Sequence, residues 1–128
     1  MSSSDRTILV VDDDDDLRML VGELLRQSGY IAIGAASGPE GYALALAKLP
    51  SLIIMDIGMP DMDGLATLWQ MRKHPGLATV PVIVLTAYDS YDLRGEAASA
   101  GCHDYLTKPF EPSDLKQLVD QAMDPLTV

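Results

Sequence analysis

Ile8-Leu9-Val10-Val11-Asp12-Asp13-Asp14-Asp15-Asp16 sets four aliphatic residues directly before five carboxylates. An unbroken aliphatic run bounded by a polar turn is how a parallel strand covered on both faces reads, because neither face needs a polar side chain. The acids mark where the chain leaves the sheet. Working outward, the pattern recurs at Leu52–Met55 before Asp56, at Val80–Leu85 before Thr86, and at Asp104–Leu106 before Thr107-Lys108-Pro109. Tyr30–Ala35 is a weaker strand, with Ile31 and Ile33 separated by Ala32 and followed by Gly34, and reads as an edge strand.

Helical patterns fill the intervals. Leu17, Leu20, Val21, Leu24 and Leu25 share one helical face, and Ser28-Gly29 supplies the stop. Ser37-Gly38-Pro39-Glu40 combines a capping box with a helix-starting proline, ahead of inward-facing Ala43, Leu44 and Ala47. A third helix opens at Gly64, carries Leu65, Leu68 and Met71, and ends before Pro75-Gly76; a fourth starts near Asp89, carries Leu93, Ala97 and Ala100, and ends at Gly101. The fifth begins at Pro112 and presents Leu115, Leu118, Val119 and Ala122 at helical spacing. Five such βα units predict an α/β fold with an open, doubly wound parallel sheet, which binds ligands beyond the carboxyl ends of its strands.

Composition narrows the function. The 128 residues are enough for one compact domain. Nine basic residues against nineteen acidic ones give a net charge of −10, which repels phosphate backbones and anionic lipid, so neither direct nucleic-acid binding nor membrane binding is expected. Cys102 is the only cysteine, so an internal disulfide and a cysteine-based zinc cluster are both excluded. A polar N-terminus and the lack of a long apolar run predict a soluble, cytoplasmic protein.

The chemistry gathers at the strand ends. Asp12 and Asp13 on one turn and Asp56 on another converge on one sheet edge, where carboxylates held close repel by on the order of a few kcal/mol at an effective dielectric of about 20. They persist together only with a cation or protons between them, and a hard divalent ion such as Mg²⁺ suits so sparse an oxygen site. Thr86 adds a hydroxyl and Lys108 an ammonium at the same edge. Together they are the parts of phosphoryl transfer, in which metal and cation neutralise charge on the equatorial oxygens while a nucleophile is held in line.

These residues closely resemble the receiver domain of two-component response regulators, in the single-domain form typified by the chemotaxis regulator. The resemblance is carried by Ile8-Leu-Val-Val-Asp-Asp13, Ile53-Ile-Met-Asp56, Met59-Pro60 with Met62-Asp63-Gly64, Val84-Leu-Thr-Ala87 and Asp104-Tyr-Leu-Thr-Lys-Pro-Phe110, and it covers essentially the whole chain. It implies a flavodoxin-like (βα)5 fold with strand order 2-1-3-4-5, residues 1–128 forming a single receiver with no output domain in this chain. It also implies that Asp56 is the phospho-acceptor, with Lys108 and Thr86 on the phosphoryl oxygens. Asp13, Asp56 and the Gly58 carbonyl would hold Mg²⁺, or Mn²⁺ in its place, with Asp12 acting through water. Tyr105 would change rotamer when Thr86 moves, and Gly58 and Tyr88 would tune the lifetime of the phosphorylated form. The Lys108-Pro109 bond is expected to be cis. The implied donor is a sensor histidine kinase or a histidine phosphotransfer protein. The output face, formed by the fourth helix, fifth strand and fifth helix, would meet a downstream protein or a second copy. Such a chain catalyses its own phosphorylation and dephosphorylation and is a switch, not a conventional enzyme.

Blander readings compete at several positions. Thr86 could serve only as a β-branched strand residue, and strand alternation alone would half-bury Tyr105. Asp14, Asp15 and Asp16 read as a solvated helix start favoured by the helix dipole, His74 and His103 as loop residues, and Cys102 as a small buried hydrophobe. Asp12, Asp14, Asp16 and Glu23 match four positions of a calcium-binding EF-hand loop, but Leu17 stands where that loop requires glycine. Two functional alternatives stay open from the residues: a small phosphatase using Asp56 as a covalent intermediate, and a pseudo-receiver that binds partners without phosphorylation.

Overall fold

The computed structural model describes residues 6–58, 64–87 and 91–123. In chain order the elements are β1 (Thr7–Val11), α1 (Asp15–Gln27), β2 (Ile31–Ala35), α2 (Gly38–Lys48), β3 (Leu52–Met55), α3 (Gly64–Lys73), β4 (Val82–Thr86), α4 (Tyr91–Ser99), β5 (Asp104–Thr107) and α5 (Pro112–Met123). The strands form one parallel sheet in the order β2-β1-β3-β4-β5, so the order turns back at β1 and β3. β2 lies at an edge, as its weak pattern suggests.

Strand alternation divides the core in two. Leu9, Val11, Ile53, Met55 and Val84 face α2, α3 and α4 through Ala45, Leu68, Met71 and Ala97. Ile8, Val10, Leu52, Ile54 and Leu85 face α1 and α5 through Val21, Leu25, Leu115 and Val119. Both faces of the sheet are therefore covered, which is why β1, β3 and β4 carry no polar residue in their centres.

Local chemistry sets the helix ends. The Asp14 carboxylate caps α1 by accepting from Leu17 N–H at 3.2 Å. The Ser37 hydroxyl accepts from Glu40 N–H at 3.3 Å, while the Glu40 carboxylate reaches back to the Ala36 N–H at 3.0 Å, one residue earlier than a capping box usually reaches. Gly29 and Gly101 close α1 and α4 with φ of 89° and 83°.

Several expected boundaries move, for identifiable reasons. β2 begins at Ile31, because Tyr30 N–H closes the end of α1 on the Leu25 carbonyl at 3.0 Å. β4 begins at Val82: Val80 belongs to a turn in which its N–H meets Leu77 O, and Pro81 has no N–H to give. β4 and β5 each run one residue further, through the pair Thr86 and Thr107. The described part of α4 starts at Tyr91, and Asp89 lies outside the described residues. Three residues of the expected apolar faces are also exposed. Leu20 is 50% exposed. In α2 the face turned to the sheet is Gly41 and Ala45, with Ala43 and Ala47 outside, because Gly41 sits directly on Val11.

Candidate functional site: an acidic cleft at the carboxyl edge of the sheet

Parallel pairing brings the chemistry together. Val11 is in register with Met55, so the next residue of each strand, Asp12 and Asp56, leaves the sheet side by side. The ladder continues one step past the strands, with Asp12 N–H on Ala35 O and Asp56 N–H on Val11 O, both at 3.0 Å. Asp12 and Asp56 are only 3% and 8% exposed, whereas Asp13 faces solvent.

Lys108 arrives from the far side. Its N–H bonds the Thr86 carbonyl at 2.8 Å as the chain leaves β5, and the Lys108-Pro109 bond is cis, as expected. The ammonium donates to Asp12 Oδ2 at 2.8 Å and to Asp56 Oδ2 at 2.9 Å. The other oxygen of each acid is held by its own turn: Asp14 N–H donates to Asp12 Oδ1 at 2.9 Å and Gly58 N–H to Asp56 Oδ1 at 2.7 Å. Both carboxylates are thus fixed in orientation before any ligand arrives. Burial pushes the Asp12 carboxyl up from its ordinary value, against the lowering pull of Lys108 and the Asp14 N–H. Burial also works against the Lys108 charge, but the hydrogen bonds and charges of Asp12 and Asp56 outweigh it and hold the ammonium above its usual value.

Asp12, Asp13 and Asp56 each offer a carboxylate oxygen within 4.8 Å of the others. Three carboxylates against one ammonium leave two negative charges (3 − 1), the charge of one divalent cation. The donors are all oxygen, which suits Mg²⁺ or Mn²⁺ rather than zinc. Neither histidine joins them: His74 Nδ1 accepts from Gly76 N–H in the turn after α3, and His103 N–H bonds Val82 O at the opposite edge of the sheet. The EF-hand match dissolves as well, since Asp14 is spent on capping α1.

The remaining expected residues divide. Thr86 is fully buried at the end of β4. Tyr105 stands opposite Val84, half-buried, with the Arg94 guanidinium 4.4 Å from its ring centroid. Gly58 takes part through its N–H. Tyr88 and the segment Met59-Pro60 with Met62-Asp63 lie outside the described residues. Sequence reasoning missed Arg18. Its Nη1 donates to the Asp12 carbonyl at 2.8 Å and its Nη2 to Asp15 at 2.6 Å, bracing the turn that carries Asp12 and Asp13. Its spacing from Asp15 (i, i+3) was visible, but its bond to a backbone carbonyl was not.

The response regulator receiver domain family matches residues 8–120. The chain belongs to that family. This receiver is 42% identical over 114 residues, covering 89% of the chain and 87% of the relative, to an uncharacterized 14.6 kDa protein in the sodA1 3' region of Leptolyngbya boryana. It is 37% identical to the transcriptional regulatory protein PdtaR of Mycobacterium tuberculosis, over 92% of this chain and 57% of that one. A CheY-like receiver domain protein from Methanospirillum hungatei superposes with a TM-score of 0.88 at 30% identity, covering 94% of both chains. The sheet order and the acidic cleft are therefore those of a two-component response regulator receiver. Among the described residues no helix is long and apolar enough to cross a membrane.

Proposed function

We propose that this receiver accepts a phosphoryl group from a phosphohistidine of a sensor histidine kinase or histidine phosphotransfer protein onto Asp56, and so acts as a phosphorylation switch. The observation that carries the reading is the Lys108 ammonium bridging Asp12 and Asp56 in the cleft. An Asp56 oxygen forms the new P–O bond as the P–N bond to the donor imidazole breaks, and the imidazole leaves with the bonding pair. Lys108 then has a phosphoryl oxygen to neutralise where it now meets Asp56, and the Thr86 hydroxyl takes another. Asp12, Asp13 and Asp56, with the Gly58 carbonyl, are the residues that would hold Mg²⁺ or Mn²⁺. The ion supplies positive charge against the equatorial oxygens. Loss of the phosphoryl group is hydrolysis of the acyl phosphate, for which Gly58 leaves the Asp56 turn without a screening side chain and Tyr88 is a second rate-setting position. The chain thus catalyses changes to itself and is no conventional enzyme.

The bound phosphoryl group must favour one arrangement of Thr86 and Tyr105 over another by the whole of the signal it sends. The surface this alters is the α4–β5–α5 face, where a downstream protein or a second copy would dock. The site of action is the cytoplasm. Incubation with acetyl phosphate and Mg²⁺ followed by intact mass measurement should add one phosphoryl group to the wild type and none to Asp56→Asn. No adduct on the wild type would leave a pseudo-receiver, and turnover of unrelated phosphate esters would mark a phosphatase; either result overturns the proposal.

A further inference from the structure

Away from the cleft, a groove runs between α3 and α4, lined by Leu65 and Trp69 on one helix and by Tyr91, Asp92, Gly95 and Glu96 on the other. Trp69 is 42% exposed and Tyr91 92% exposed. Large aromatic rings left in water and rimmed by polar groups mark interaction surfaces, because their burial is saved for a partner. Gly95 is a second, independent sign. It sits in the middle of α4, where glycine weakens a helix relative to alanine, yet a Cβ built there meets nothing within 4 Å. Nothing among the described residues comes close enough to need the missing side chain, whereas a partner lying close along the groove would.

Among the described residues the lining holds two carboxylates and no lysine or arginine, on a chain whose net charge is −10. Aromatic faces attract guanidinium and ammonium groups, and carboxylates pair with them. We propose that the α3–α4 groove docks a cationic amphipathic segment of another protein, with an apolar side chain against Leu65 and Trp69 and Lys or Arg over Tyr91, Asp92 and Glu96. A second copy fits worse, since a two-fold contact would set Asp92 and Glu96 against the same acids. Nucleic acid is repelled. The site stands apart from the phosphoryl chemistry: Arg94, which contacts Tyr105 and Thr107, is not in its lining.

Trp69 is the only tryptophan, so its emission reports on the groove alone. The test titrates the unphosphorylated full chain with a synthetic helical peptide of Leu and Lys at i, i+3, i+4 spacing, and with its Leu and Glu counterpart. The Leu and Lys peptide alone should shift Trp69 emission to the blue. Asp92→Asn with Glu96→Gln should weaken its binding by about tenfold or more, a loss of about 1.4 kcal/mol. Glu23→Gln with Asp114→Asn, which removes equal charge elsewhere, should change binding less than about twofold. Gly95→Gln should raise the melting temperature while weakening binding by about tenfold. Equal loss in both double variants would reduce the effect to net charge and overturn the proposal. So would an unshifted Trp69, undiminished binding by Gly95→Gln, or a Trp69 shift on concentrating the chain alone together with a dimer in sedimentation. Asp56→Asn should bind like the wild type, which separates this result from the fate of the phosphoryl reading.

Discussion

The Arg94 guanidinium stacks over the Tyr105 ring at 4.4 Å from its centroid, and its Nη2 donates to Thr107 Oγ1 at 3.2 Å, so one side chain of α4 holds two residues of β5. A cation over an aromatic face at a partly exposed site contributes about 0.5–1 kcal/mol. If Tyr105 must change rotamer for the switch to operate, that contact opposes the change. Arg94→Ala should therefore raise the population of the alternative Tyr105 rotamer by about two- to fivefold without phosphorylation. Ring resonances of Tyr105 would show it, and an unchanged rotamer distribution in the variant would remove Arg94 from the switch.

Lys108→Met separates two effects that share one residue. Loss of the ammonium leaves Asp12 and Asp56 facing each other across 2.8 and 2.9 Å hydrogen bonds that no longer exist, and raises the negative charge of the cluster. A unit positive charge removed from a few ångströms away alters the energy of a divalent ion by about 1 kcal/mol or more even at the dielectric of water. Mg²⁺ should thus bind several-fold more tightly, while the adduct from acetyl phosphate forms about a hundredfold more slowly for want of a cation on the phosphoryl oxygens. Titration calorimetry and the time course of intact mass read the two separately. Parallel loss of both would mean that Lys108 acts only by holding the fold.

Gly64→Ala should damage the acceptor turn. A Cβ there would lie 2.5 Å from the Asp56 carbonyl oxygen and 2.6 Å from Ile57 Cα, which are backbone atoms that cannot swing aside. In an ordinary helix the change stabilises by about 0.5–1 kcal/mol. Here the overlap should reverse the sign and cost about 1–3 kcal/mol, seen as a lower urea midpoint, with a reduced rate of adduct formation as Asp56 is displaced.

How far the sequence could be read follows from where each contact lies. Asp12, Asp13, Asp56, Thr86 and Lys108 were legible because parallel strands deliver their last residues to one edge, so strand ends alone nearly determine the site. Arg72 and Arg94 were not, because their partners are backbone carbonyls, a hydroxyl and a ring, which leave no complementary charge to notice in the sequence; Arg18 shows there only its pairing with Asp15, not its bond to the Asp12 carbonyl. The early start assigned to β4 failed for the same reason. Val80 continues an aliphatic run, but its carbonyl is taken by Arg72 Nη1 at 2.7 Å and its N–H by the Leu77 carbonyl, and neither bond has a signature in the residue types.

Arg72 is the largest such omission. Its guanidinium donates to Leu77 O at 3.0 Å, Val80 O at 2.7 Å and Gly101 O at 2.9 Å, tying the end of α3 to the turn before β4 and to the end of α4. Hydrogen bonds to a charged group contribute about 1.5–3 kcal/mol each when removal leaves the partner buried, and the partly exposed position lowers the sum. Arg72→Ala should cost about 2–3 kcal/mol in urea unfolding. Arg72→Lys should recover little of it, since an ammonium cannot reproduce the planar fork. Amide exchange should rise first around 77–82. Recovery by lysine would show that charge alone matters there.

Acid sensitivity should include a contribution from Asp120. The Lys116 ammonium at 2.7 Å, helped by the Tyr30 hydroxyl at 2.8 Å and opposed by slight burial, holds its carboxyl below the ordinary value. A group whose folded value is depressed stabilises the protein above its unfolded value and loses that stabilisation as the pH falls through the folded one. The window therefore opens near the ordinary carboxylate value, about 3.9, and extends below it. Asp120→Asn should lower the melting temperature slightly at neutral pH and flatten its decline across that window. Tyr30→Phe should give a smaller change in the same direction, because it removes one of the two donors and leaves Lys116 in place. A variant whose melting curve stays parallel to the wild type through the window would show that the tie between the β2 approach and α5 carries no proton linkage.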